Sequence, residues 1–70
     1  MNTLRKSFGE RVKTLRQTAE VSQEDFADAC GFARSYMSRI ERGTSNLSLD
    51  GIERVAIGFG ISVEELFEGL

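Results

Sequence analysis

Apolar residues return every three or four positions along the chain, and each run stops at a polar or glycine-bearing break. Leu4, Phe8, Val12, Leu15 and Ala19 form the first such stripe, which is the spacing of one helical face. Asn2 or Thr3 is placed to cap it. Val21-Ser22 interrupts, and Ser22 with Asp25 three residues on predicts the start of a second helix. Phe26, Ala27 and Cys30 are its apolar side, and Gly31 ends it. A third helix runs from near Ala33 to Arg42, closed by Gly43, with Met37 and Ile40 inward. After the polar loop Thr44-Ser45-Asn46, Ser48 caps a fourth helix bearing Leu49, Ile52, Val55, Ala56 and Phe59, which stops at Gly60. Gly58 inside it costs about 1 kcal/mol relative to alanine. Ser62 with Glu65 makes a capping box for a last helix, about 63–69, whose apolar positions are Val63, Leu66, Phe67 and Leu70. No alternation of strand type appears. The expectation is an all-α fold, a compact bundle of about five short helices in one domain spanning 1–70.

Several functions are disfavoured by what the chain lacks. It has 70 residues, no histidine, no proline and one cysteine, Cys30, so an internal disulfide and the usual zinc ligand sets are absent. Cys30 falls on an apolar helical face, where a buried structural thiol is the expected role. The carboxylates show no paired spacing. An enzyme is not expected, and no cofactor or small-molecule ligand is evident. No run approaches the roughly 20 apolar residues of a membrane span, and the charged N-terminus lacks a secretory apolar region. A cytoplasmic protein with no membrane partner is expected.

The net charge of -2 runs against the basic footprint of a nucleic-acid binder. The distribution runs the other way. Arg5, Lys6, Arg11, Lys13 and Arg16 against Glu10 leave residues 1–16 strongly basic, and Arg34, Arg39 and Arg42 against Glu41 leave residues 33–46 basic. The acidic residues gather in 17–32 and 47–70, so a basic face and an acidic back can be built.

The informative stretch is about 23–42. Two short helices meet at a tight turn containing Gly31, with Phe26, Ala27, Cys30, Phe32, Met37 and Ile40 spaced to fill one core between them. That is the specification of a helix-turn-helix, whose second helix enters the DNA major groove. On a wheel of roughly 100° per residue, Arg34, Ser35, Ser38, Arg39 and Arg42 fall within about 140° of one another. Met37 and Ile40 lie opposite, and Tyr36 sits on the border. Arginine offers two parallel hydrogen bonds to guanine, and serine can contact a base or a phosphate.

The run SQEDFADACGFARSYMSRIERGTSNLSL, residues 22–49, resembles the XRE family of helix-turn-helix proteins, like the phage lambda and 434 repressors and Cro. The segment ARSYMSRIERGTSNLSL looks most like restriction–modification controller proteins, which are stand-alone domains that bind DNA as dimers. The resemblance implies a lambda-repressor-like domain and double-stranded DNA, an operator, as partner. It implies that Gln23 touches a phosphate, that Arg34 and Ser35 read bases, and that Arg39 faces the groove. By the same resemblance Tyr36 leans on the sugar-phosphate backbone, Ser38 and Arg42 face phosphate or groove, and Thr44, Ser45 and Asn46 contact the backbone. Arg16 and Glu41 match a structural ion pair between the first helix and the recognition helix, with Arg16 a neighbour of the phosphate as well. Departures from the family pattern are Ala33 in place of a capping residue, Leu47 in place of a frequent proline, and Gly58 in place of a helix former.

One recognition helix touches too little DNA to be both tight and specific, whereas a homodimer places two such helices about 34 Å apart, one DNA turn. Val63, Leu66, Phe67 and Leu70 are the candidate dimer interface, with closure of the monomer core as their other use. The competing function is a protein-interaction module, such as an antitoxin or adaptor, built on the same fold.

Overall fold

The computed structural model describes residues 3–70. Its helices are α1 (Thr3–Thr18), α2 (Gln23–Cys30), α3 (Arg34–Arg42), α4 (Leu49–Phe59) and α5 (Val63–Leu66), with no strand among the described residues. The all-α expectation and the element order hold. Asn2 as a cap lies outside the described residues, and Thr3 is already inside α1. The last helix is shorter than expected, four residues followed by turns.

The serine caps form as their spacing predicts. Ser22 Oγ accepts from the Asp25 N–H, Ser48 Oγ from the Gly51 N–H, and Ser62 Oγ from the Glu65 N–H, each at 3.0 Å. Glu65 returns the favour by accepting from the Ser62 N–H, which completes the capping box. Ala33, by contrast, gives α3 no side-chain cap.

Helix ends share a second device. At Gly31, Gly43 and Gly60 the chain turns through a left-handed residue, and the two N–H groups at and after it return to carbonyls of the last helical turn. The same turn ends α1, but there Glu20 holds the left-handed conformation, with φ of 60°. A side chain in that region costs roughly 1–2 kcal/mol. Composition gave no sign of this, because no glycine marks the site.

The core gathers Phe8 and Val12 of α1, Phe26, Ala27 and Cys30 of α2, Met37 and Ile40 of α3, Val55 and Ala56 of α4, and Leu66 of α5. The α1 helix packs on α3, α2 on both α3 and α4, and α5 on α4. Phe8 stacks on Phe67, and Phe26 on Phe59. Arg11 reaches from α1 to the end of α5, where its Nη2 and Nε donate to the carbonyls of Glu65 (2.8 Å) and Leu66 (3.2 Å). A cation is favoured there because carbonyls at a helix C-terminus keep accepting capacity; that of Glu65 also accepts from the Glu68 N–H. The predicted stripes are cut short at their ends: Leu4 and Leu49 are exposed, and Ala19 lies beyond α1 on the surface.

Two glycines carry packing that spacing did not announce. A Cβ on Gly9 would overlap the Ile40 carbonyl oxygen and lie 2.8 Å from that of Glu41, so α1 can meet the α3 backbone only where a side chain is missing. A Cβ on Gly58 would lie 2.8 Å from Cys30 Sγ and 3.2 Å from the Phe26 ring. The helix-propensity penalty expected at Gly58 is therefore only half its account; the residue makes room for α2.

Burial pushes the Cys30 thiol up to about 11, so it stays protonated and unreactive at neutral pH. Alkylation of Cys30 by a thiol reagent at pH 8 is expected to track unfolding, with negligible labelling of the native protein. Gly58→Ala should destabilise by about 1–3 kcal/mol through overpacking, despite its better helix propensity. Urea titration checks this, and Cys30→Ala in the same chain should recover part of the loss. Glu20→Gly should raise stability by about 0.5–1 kcal/mol, read as a higher urea midpoint.

Candidate nucleic-acid interface

The recognition helix α3 is set by what lies behind it. Met37 and Ile40 are fully buried, which turns Arg34, Ser35, Arg39 and Arg42 outward. All four are exposed, and Ser38 is half-buried between them. Arg42 Nη1 donates to Ser38 Oγ at 3.1 Å, so these two act as one unit. The α3 face is thus polar, cationic and open, a surface matched in chemistry to base edges and phosphates.

Tyr36, on the border of that face, is half-buried. Its ring meets Phe32 edge-on at 4.9 Å, and the Arg39 guanidinium lies over it at 5.6 Å. On the far side, Arg54 of α4 lies 5.9 Å from the Phe32 ring. Two aromatics are therefore flanked by two arginines, an arrangement within cation–π range. Neither Phe32 nor Arg54 carried a sign of this in sequence, because the partners come from three elements.

Gln23, Arg16 and Glu41 meet at one corner. Glu41 Oε2 accepts from Arg16 Nε at 2.7 Å, and Oε1 accepts from Arg16 Nη2 at 3.1 Å and from Gln23 Nε2 at 3.2 Å. Arg16 Nη1 donates to the Val21 carbonyl at 2.9 Å. The Arg16 and Glu41 side chains are 11% and 5% exposed. Each nitrogen of the guanidinium therefore donates one hydrogen to a protein acceptor, and the two Nη hydrogens that remain belong to a side chain only 11% exposed.

The loop after α3 splits. Thr44 and Asn46 are exposed, and the Thr44 hydroxyl donates to the Arg39 carbonyl at 3.2 Å. Ser45 departs from the expectation: it is buried, because the chain folds inward there before Ser48 caps α4. A similar correction applies to Leu66, expected at a dimer interface. It has no exposed surface and belongs to the monomer core, beneath Arg11 and α4. Val63 and Leu70 remain exposed, and Phe67 is half-buried against Phe8. Ile57 of α4, 70% exposed, was not singled out in sequence, although an isoleucine there on an otherwise amphipathic helix was a visible signal.

A family model described as a helix-turn-helix domain matches residues 7–68. The chain belongs to that family. It is 40% identical to the control protein C.BamHI of Bacillus amyloliquefaciens, over 96% of this chain and 84% of that one. It is 39% identical to the control protein C.MunI of a Mycoplasma species, over the whole chain and 96% of the relative. Among solved structures, the restriction-modification controller protein C.AhdI of Aeromonas hydrophila superposes with a TM-score of 0.85 at 40% identity, covering 89% of this chain and 94% of that one. The expected resemblance to XRE-type regulators, and to controller proteins among them, holds. The family is one of DNA-binding regulators and not an enzyme family. Among the described residues, no helix is long and apolar enough to cross a membrane.

Breaking the corner should be costly. Arg16→Ala leaves the Glu41 carboxylate buried without its counter-charge, and a loss of about 3–5 kcal/mol is expected in urea unfolding at pH 7. Ala33→Ser supplies the missing cap of α3 and should add about 1 kcal/mol, measured the same way.

Proposed function

We propose that this helix-turn-helix regulator binds a pseudo-palindromic operator as a homodimer and controls transcription, in the manner of a restriction–modification controller. The observation that carries the reading is the exposed arginine face of α3, held outward by fully buried Met37 and Ile40. A helix so presented fits the major groove. In this reading Arg34 and Ser35, at the start of α3, contact base edges, and Arg39 extends the reading along the groove. Tyr36, braced by Phe32, lies against the sugar-phosphate backbone. Ser38 and Arg42 face phosphate or groove as a pair. Gln23, at the first position of α2, and Thr44 and Asn46 of the loop after α3 fix the register on either side.

Dimerisation through Val63, Leu70 and the rim of Phe67, joined by Ile57, would cover apolar surface that the monomer leaves in water. Dimers of this class bind with their recognition helices one DNA turn apart. The acidic residues of α2, α4 and α5 lie in segments other than the arginine face, so the net charge of -2 does not oppose binding.

Selection of bound sequences from a random DNA pool should return a site with two-fold symmetry and half-sites about one turn apart. Arg34→Ala should cost about 1–3 kcal/mol on that site and relax preference at one base pair. Affinity measured at two salt concentrations should fall steeply as salt rises. Binding that ignores salt, or an Arg34→Ala protein with unaltered base preference, would instead point to a protein-interaction module on the same fold.

A further inference from the structure

The Arg16–Glu41 pair has the look of a purely structural contact, but its third member does not. Gln23 stands at the first position of α2, where the preceding Ser22 caps the helix, and its side chain is only half-buried. An amide can sit in either of two flips, and the two present opposite chemistry to a neighbour. Beside Glu41 only one flip is tolerated. A carboxylate is an acceptor alone, so the amide oxygen is repelled from it and Nε2 is drawn in, as the 3.2 Å bond shows. Glu41 is able to do this without placing a bare negative charge next to the DNA face, because Arg16 neutralises it through two hydrogen bonds from inside the protein.

We propose that Glu41 is a positioning residue for DNA binding: it sets the flip of the Gln23 amide and leaves the second Nε2 hydrogen free to donate to a phosphate oxygen. The pair of Arg16 and Glu41 thereby acts on the backbone contact through Gln23, in addition to tying α1 to α3. Arg16 gives one hydrogen from each of its nitrogens to acceptors within the fold and its side chain is only 11% exposed, so its part in the contact runs through Glu41. The inference rests on the reading that Gln23 faces a phosphate. Because the contact is to the backbone, its loss weakens all sequences alike.

A double-mutant cycle separates this role from stability. Replacing the pair with apolar residues, Arg16→Met with Glu41→Leu, keeps the net charge and removes the acceptor of Gln23, and such replacements of buried pairs are commonly tolerated by the fold. Affinity for a random-sequence duplex at low salt should fall roughly three- to tenfold, the worth of one hydrogen bond. Gln23→Ala should fall by a similar factor, and combining it with the pair replacement should produce no further loss. Equal losses from the pair replacement with and without Gln23→Ala, or no loss from it at all, would overturn the proposal and leave the phosphate contact standing. An unaltered affinity in Gln23→Ala alone would instead remove the phosphate contact itself, and the proposal with it. Should the replaced pair fail to fold, the side-chain amide of Gln23 in the unaltered protein still decides by NMR. One Nε2 proton should be hydrogen-bonded before DNA is added, and the other should shift on titration with the duplex. An amide that rotates freely in the DNA-free protein overturns the proposal.

Discussion

The approach of α1 to the backbone of α3 is the constraint on which the rest depends. Gly9 lets the two helices meet with no Cβ between them, at the carbonyls of Ile40 and Glu41. That distance brings Arg16, two turns further along α1, against the Glu41 carboxylate. Once α1 covers this side of α3, Met37 and Ile40 are sealed and the arginine face has one direction left, toward solvent. A functional surface is thus produced by what is packed against its reverse.

Much of the fold was legible because its signals are local. A serine cap needs only an N–H three residues away, so Ser22, Ser48 and Ser62 marked helix starts in sequence. A left-handed turn is cheapest for glycine, so Gly31, Gly43 and Gly60 marked the ends. The features that stayed hidden are tertiary or break the local preference. Glu20 takes the left-handed position without being glycine. Gly9 and Gly58 look like helix weakeners until the neighbouring helix is in place. The first residues of the α1 and α4 stripes, Leu4 and Leu49, obey the helical period yet find nothing to cover them.

The interface divides along the same line. The outward direction of Arg34, Ser35, Arg39 and Arg42 follows from helical period alone and was visible as soon as Met37 and Ile40 were seen as inward. Ser45 and Leu66 were misplaced because loop path and core closure are decided by several elements at once. The corner of Arg16, Gln23 and Glu41 was half legible: the ion pair came from resemblance, while the amide bond from Gln23 required the helices to be assembled.

Arg11 gives α1 a further part. One helix holds the recognition helix at Gly9 and Arg16 and grips the end of α5 through Arg11. Any surface presented by the C-terminal segment is therefore fastened to the same strut as α3. If two copies join there, the spacing of their reading heads is a mechanical property of that strut, and a small pivot of α1 would change which helical phase of a duplex they can grasp together.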